Sequence, residues 1–338
     1  ILVDKKISHT KMSGEVEPAS ELTSELRAFV EFVAKKGREL YRDLPWRRTY
    51  DPYAIWISEV MLQQTQVSRV DGRWQRWLER FPTVDALAAA APSDVLEEWQ
   101  GLGYNRRALS VHRAAQAISE AGGVFPQDPK ELVKLPGIGP ATAAGIRAFA
   151  FNLHGVYLET NVRTVFLHEL YPQAEGVPDS ELVPLVELTC PASVEDAGNA
   201  DGTAGADTAV DTAANAADAD STENDATAEL TPRSWYYALL DYGAYLKKTI
   251  PNPSRRSKSH VKQSRFEGSH RQKRAELLRV LLAHKDEGGA VFETLHQELC
   301  QIEVNAGRET LDEQVTLGLL EELAKEGFCQ KNDEYWLP

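Results

Sequence analysis

Apolar residues along ELTSELRAFVEFVAKKGRELYR, from Glu21 to Arg42, recur at the spacing that places them on one face of a helix, and Leu44-Pro45-Trp46 ends the pattern. The same period predicts further helices over 53–70, 71–80, 84–90, 93–99, 105–121, 129–135, 140–152, 161–171, 179–189 and 232–248. Alternation of period two is almost absent before residue 280, so the main domain, 21–250, is predicted to be all-α. The C-terminal stretch, 271–338, carries three more helical patterns, the third running from Arg308 to Glu326. It closes with Phe328-Cys329-Gln330, a Lys331-Asn332-Asp333 turn and Glu334-Tyr335-Trp336-Leu337, which reads as a hairpin. Three helices and a terminal hairpin predict a winged-helix-like α+β module.

Two stretches have no such period. Residues 1–20 are polar and patternless, which predicts a disordered tail. Residues 194–230 are built from Ala, Asp, Thr, Asn and Gly with no aromatic residue. They cannot bury enough apolar surface to offset their ordering entropy, which predicts a disordered acidic insertion joining two helices of one domain.

That insertion governs the charge balance. The 338 residues carry a formal net charge of −14, which argues against a polyanionic partner, but removing the insertion's ten acidic residues leaves −4. From Lys247 to Arg279 eleven Lys or Arg stand against two acids, Glu267 and Glu276, so 251–270 reads as a basic segment that contacts nucleic acid. The rest is ordinary globular composition, 42% hydrophobic and 26% charged. No apolar run reaches the length of a membrane span and the start lacks a signal-peptide core, which predicts a cytoplasmic protein with no membrane partner. Cys190, Cys300 and Cys329 are far apart, which excludes a disulfide framework and any four-cysteine metal or iron–sulfur site.

Three segments could carry chemistry. In Leu135-Pro136-Gly137-Ile138-Gly139-Pro140-Ala141-Thr142 a helix ends, two glycines permit positive φ in a tight turn, and Pro140 opens a new helix. The outward amides of that helix would take one phosphate of a DNA strand, with Gly137, Gly139 and Thr142 as contacts. Taken singly, a Gly-x-Gly is more often a packing break. Here a second glycine-rich turn, Gly101-Leu102-Gly103-Tyr104, leads into Asn105-Arg106-Arg107, and two such turns favour phosphate binding through Tyr104, Arg106 and Arg107. In YAIWISEVMLQQTQVSRV, Glu59, Gln63 and Gln66 form a stripe at i, i+4 and i+7. The pattern favours an exposed stripe on an amphipathic helix over a buried acid of raised pKa. Finally, Glu159 in Tyr157-Leu158-Glu159-Thr160-Asn161-Val162-Arg163 stands at a helix start, where helix-dipole stabilisation is the plainer reading.

Together these segments resemble the helix–hairpin–helix, endonuclease III-like DNA glycosylases, most closely their adenine-specific branch. The carriers are Leu44-Pro45-Trp46-Arg47, the string from Ser58 to Val67, Gly101 to Tyr104, the hairpin Leu135 to Gly139, and Asp241-Tyr242-Gly243-Ala244. The resemblance runs from about Leu44 through Leu170 and resumes at Trp235 to Lys247.

It implies two α-helical lobes with the target base flipped into the cleft between them. Glu59 matches the family's general acid, Glu159 its catalytic aspartate, Asn161 a residue lining the same site, and Gln63 and Gln64 residues that enter the DNA stack. The Schiff-base lysine of bifunctional relatives corresponds to Ala141, which implies a monofunctional enzyme. Asn105 replaces a wedge tyrosine, and Ala141 also replaces the Tyr or Ser usual in adenine-specific members. Lys247 stands where the first cluster cysteine belongs, so no iron–sulfur cofactor is expected, and Arg255, Arg256 and Lys258 are expected to supply that loop's DNA contacts.

The resemblance implies a monomeric, nucleoid-associated enzyme of base excision repair acting on double-stranded DNA with a mismatched or damaged base. Adenine opposite 8-oxoguanine or guanine is the leading substrate. The alternatives are thymine or uracil opposite guanine, and a non-catalytic damage-binding protein. The third helix of the C-terminal module has six acids against two bases and is not expected to enter a DNA groove.

Overall fold

The computed structural model describes residues 22–193, 229–259 and 265–338. The tail expected over 1–20 lies outside them, as does the insertion expected over 194–230 apart from its last two residues.

Local chemistry sets the helix starts. The Thr23 hydroxyl caps α1 (Ser24–Glu39) by accepting from the Leu26 amide. Pro52 opens α2 (Pro52–Leu62), and the Asp51 carboxylate accepts from the Tyr53 and Ala54 amides. The chain continues through α3 (Val67–Val70), α4 (Arg73–Arg80), α5 (Val84–Ala89), α6 (Pro92–Trp99) and α7 (Arg106–Glu120). It then forms α8 (Pro129–Leu132), α9 (Pro140–Phe151), α10 (Thr160–Glu169), α11 (Asp179–Thr189) and α12 (Pro232–Thr249).

These bounds follow the periodicity with two corrections. The helix expected over 129–135 ends at Leu132. The single helix expected over 53–70 is broken: α2 stops at Leu62, Gln64 takes a left-handed φ of 55°, and Gln66 precedes α3. The cause is tertiary. The Arg107 guanidinium donates to the carbonyls of Val60, Met61 and Gln63, the acceptors that a continuing helix would offer to its own later amides.

The helices enclose two apolar cores. One holds Trp56, Met61, Trp77, Trp99 and Ile118, and the other Val33, Phe166, Leu182, Trp235 and Leu239. α9 serves both, giving Ala143 and Ile146 to the first and Ala144, Ala148 and Phe149 to the second. The second lobe joins both ends of the helical body, with Phe29 of α1 packed edge-on against Phe166 of α10 and Trp235 of α12.

Between the lobes, Arg47 forms a two-pronged ion pair with Asp241 of α12 at 2.7 and 2.8 Å, both side chains being buried. Arg42 adds a further contact to the same carboxylate at 2.5 Å.

The C-terminal module comprises α13 (His270–Ala283), β1 (Ala290–Val291), α14 (Phe292–Asn305), α15 (Glu313–Glu326), β2 (Gln330–Asn332) and β3 (Tyr335–Leu337). A hairpin forms as the pattern expected, but its turn is shifted: Lys331 and Asn332 extend β2, and the chain reverses at Asp333-Glu334, with Asp333 at a left-handed φ of 51°. β1 adds a third, antiparallel strand in the order β1-β3-β2, with Trp336 opposite both Ala290 and Lys331. Two residues show no periodicity, so sequence did not reveal β1.

Leu277, Leu281, Leu299, Leu320 and Trp336 belong to the same apolar cluster as the first lobe, so residue 271 marks no boundary between cores. Lys285 pairs with Asp94 at 2.5 Å and Glu97 at 3.0 Å across this junction. Glu326 pairs with Arg106 at 2.6 Å and with Arg274 at 2.8 Å, and these partners pull its pKa down to about 2. Among the described residues no helix is long and apolar enough to cross a membrane.

Candidate active site

Side chains from four elements converge beside α9, the helix shared by the two cores. α2 brings Glu59, the strap before α10 brings Tyr157, the α10 start brings Glu159 and Asn161, and α12 brings Lys247. Their convergence follows from close backbone packing. A Cβ at Gly243 would lie 2.3 Å from the Asn161 carbonyl oxygen, so α12 seats against α10 only with glycine there.

Glu59 is not on an exposed stripe. α2 is enclosed on nearly all sides, with Tyr53 through Ser58, Val60 and Met61 buried, and Glu59 keeps limited access to solvent. The stripe expectation assumed a surface helix, whereas α2 runs through the protein's centre. Glu59 Oε2 accepts a hydrogen bond from the Tyr157 hydroxyl at 2.8 Å. Burial pushes its pKa up to about 7, the Tyr157 hydrogen bond opposes that rise, the Glu159 charge adds to it and Arg47 subtracts.

Glu159 is the N-cap of α10. Its Oε1 accepts from the Asn161 amide at 2.6 Å and the Val162 amide at 3.0 Å, so the plainer helix-start reading is geometrically correct. The same position leaves it close enough to Glu59 and Lys247 for their charges to interact. Burial raises its pKa, against the pull of these amides and of Lys247. Burial likewise lowers the Lys247 pKa, against the Glu159 charge. Asn161 Oδ1 is buried without a hydrogen-bond partner among the described protein atoms, which leaves it free to take a donor from a ligand.

The residues matched to DNA contacts divide in two. Gly137 has a φ of 77° and, with Gly139 and Pro140, is exposed at the hairpin; buried Ile138 anchors the turn. Gly139 has an ordinary φ of −86° as the N-cap of α9, so only one of the two hairpin glycines uses its conformational freedom. Thr142, expected to contact a phosphate, is instead buried by the packing of α9, and Gln63 Nε2 donates to its Oγ1 at 3.1 Å, linking the end of α2 to the hairpin helix. Gln64 and Tyr104 are exposed, both with positive φ. Arg255 and Lys258 are exposed.

Three arginines depart from expectation because backbone or carboxylate acceptors claim them. Arg107 turns inward, spending its guanidinium on the end of α2 and on the Leu102 and Gly103 carbonyls. Arg256 donates to the Leu167, Tyr171 and Pro172 carbonyls, closing the C-terminal end of α10. Arg106 is exposed but engaged by Glu326.

Sequence reasoning missed Tyr157 as a site residue and noted Lys247 only as a departure from a cysteine. Tyr157 lies 98 residues from Glu59 and reads as one more apolar position between Val156 and Leu158. As for a metal, three cysteines cannot supply a four-thiolate cluster. Cys190 closes α11, Cys300 lies in α14 and Cys329 precedes β2.

Residues 57–234 match the family described as HhH-GPD superfamily base excision DNA repair protein. The adenine DNA glycosylase of Mycolicibacterium smegmatis is 43% identical over 152 residues, 44% of this chain and 52% of that protein. The human adenine DNA glycosylase is 39% identical over 134 residues, 37% of this chain and 24% of that protein. The chain thus spans about half, or less, of the length of these curated relatives. A solved thermostable thymine-DNA glycosylase superposes with a TM-score of 0.50 at 19% identity, over 68% of this chain and 90% of that one, a likeness of fold.

Proposed function

Since the chain belongs to the HhH-GPD superfamily of base excision DNA repair proteins, we propose that it is a monofunctional DNA glycosylase, hydrolysing the N-glycosidic bond of a base flipped out of duplex DNA. The observation that carries this reading is Glu59. It is a carboxyl held near neutrality by burial, beside a second carboxylate of different surroundings, in the zone between two lobes.

Protonated Glu59 gives its proton to a ring nitrogen of the base as the bond to the sugar breaks and its electron pair leaves with the base. Glu159, anchored on the α10 amides, places negative charge by the oxocarbenium ion that results. Water then adds to the sugar carbon and returns its proton to ionised Glu59, which restores the site. Asn161 Oδ1 is the acceptor available to sugar or water.

Adenine opposite 8-oxoguanine or guanine is the leading substrate, supported by the identity to adenine DNA glycosylases. The exposed hairpin of Gly137 and Gly139 with the first turn of α9 offers amides to one phosphate. Gln64, Tyr104, Arg255 and Lys258 are exposed at the flanks for further DNA contact. With Ala141 where bifunctional relatives carry the lysine, α9 offers no amine for a Schiff base, and the Lys247 ammonium faces the Glu159 charge, so an intact abasic strand is the expected product.

The test is single-turnover incubation with duplexes carrying adenine, thymine or uracil opposite guanine, and adenine opposite 8-oxoguanine, each followed by alkali. Strand breakage only after alkali, and first with adenine, is expected. Release of thymine or uracil alone would reassign the substrate, borohydride trapping of a covalent adduct would refute the monofunctional reading, and release from no duplex would leave a DNA-binding protein. The enzyme is further proposed to work without an iron–sulfur cluster. Metal analysis of active protein finding about four irons per chain would overturn this.

A further inference from the structure

Tyr157 is held on every side that matters for aiming its hydroxyl. Its ring packs edge-on against Phe149 of α9, with centroids 5.2 Å apart, and against Tyr236 of α12 at 5.3 Å. Its backbone amide donates to the Tyr236 hydroxyl at 3.1 Å, and that hydroxyl in turn donates to the Gly155 carbonyl. These contacts seat the ring between α9 and α12. Its hydroxyl points at one oxygen of Glu59, Oε2, at 2.8 Å.

The far side of the pair is closed by α9. A Cβ on Gly145 would lie 2.6 Å from Glu59 Oε2 and 2.9 Å from Tyr157 Cε2, so α9 seats against the hydrogen bond only because residue 145 lacks a side chain. One residue position thus leaves room for both groups and walls them in.

We propose that Tyr157 is a positioning residue for Glu59, donating to Oε2 in both protonation states and so confining the transferable proton to Oε1. The catalytic consequence rests on the glycosylase reading above; the hydrogen-bond claim does not.

A phenol has one proton. Burial and the two nearby glutamates raise the Tyr157 pKa well above its ordinary value, so that proton stays on its oxygen throughout. Donation to Oε2 leaves Oε1 as the site of the carboxyl's own proton, and one defined oxygen becomes the acid. After transfer the same bond steadies the carboxylate. The other charged group facing Glu59 across the site is Glu159, which raises the Glu59 pKa, while Arg47, in the turn before α2, lowers it. α9 presents Gly145 and Thr142 to α2, and α7 presents Arg107 to its C-terminal carbonyls.

The alternative arrangement has Oε2 carrying the proton and donating to the phenol. The two arrangements predict opposite responses to loss of the hydroxyl. Removing a donor disfavours the ionised carboxyl, whereas removing an acceptor disfavours the protonated one.

The experiment titrates the full chain labelled with 13C at glutamate carboxyls, Glu59 being assigned by loss of its signal in Glu59→Gln. Tyr157→Phe should raise the Glu59 midpoint by roughly one pH unit. In single-turnover excision it should move the alkaline limb upward by the same amount and lower the plateau roughly 10- to 100-fold through misplacement of the acid. Gly145→Ala, which pushes the pair apart while keeping both side chains, should reproduce the upward midpoint. A lowered or unchanged midpoint in Tyr157→Phe overturns the proposal. If wild-type protein excises nothing, the glycosylase reading fails and the carboxyl titration still decides the role of Tyr157.

Discussion

Glu59 combines two properties that ordinarily exclude each other, a titratable carboxyl and a place in a nearly closed helix. Its folded-state pKa of about 7 lies above that of an unfolded glutamate, so the folded chain binds that proton more tightly. The stability this contributes is fully present below about pH 4 and is lost as pH rises through about 7. Glu59→Gln, neutral at every pH, should therefore melt like the wild type near pH 4.5 and several degrees higher at pH 8. Excision should fall about 10²- to 10⁴-fold while duplex binding persists. A lower melting temperature at pH 8 would mean that Glu59 is ionised and stabilising there.

Glu159 poses the complementary question, because its cap and its proposed electrostatic role use the same carboxylate. Glu159→Gln keeps an amide oxygen to cap α10 and should cost no more than about 1 kcal/mol. It should nonetheless slow excision by orders of magnitude, and Glu159→Asp, a methylene shorter, should slow it less. Single-turnover rates beside thermal melts separate the two roles, and full activity in the Gln variant would reduce Glu159 to a cap.

Among the elements, the basic residues sort by what their helices need. Arg107 and Arg256 close the C-terminal ends of α2 and α10, donating to carbonyls that lie past the regular helical ladder. Arg107→Ala would remove these hydrogen bonds and strand the Met61 carbonyl, and a loss of about 1–3 kcal/mol in denaturant unfolding is expected. Arg255 and Lys258 satisfy no such need. Their joint replacement by Gln should leave unfolding unchanged, weaken binding to duplexes of any sequence, and flatten the salt slope by about 0.9 for each phosphate no longer neutralised. An unchanged slope would remove this segment from the DNA surface.

For the whole molecule, the Arg47–Asp241 pair joins the entry of the first lobe to α12 of the second. Removing one partner strands a buried charge, so Asp241→Asn should cost about 3–5 kcal/mol and broaden or split the unfolding transition as the lobes uncouple. Melts that stay single and within about 1 kcal/mol of the wild type would show that apolar packing alone couples them. The C-terminal module behaves as part of this body, because Leu277, Leu281 and Trp336 share the first lobe's core and Lys285 reaches Asp94 and Glu97.

By itself the sequence determined nearly every helix, the presence of a C-terminal hairpin and the pairing of Pro140 with a helix start, because periodicity, caps and turn residues act over a few neighbouring positions. The resemblance also singled out Glu59, Glu159 and Asn161, which converge at the candidate site. What sequence could not decide was direction. An exposed and a buried α2 have the same stripe of Glu59, Gln63 and Gln66, and nothing local shows that α2 runs through the centre. Arg106, Arg107 and Arg256 look alike as charges, yet each finds a different acceptor, in Glu326 or in distant carbonyls. Tyr157 meets Glu59 across 98 residues, and Gly145 matters only for what stands in front of it. Those facts belong to tertiary structure because burial and hydrogen-bond partners are set by which segments fold against one another, and contacts between distant segments leave no period in the chain.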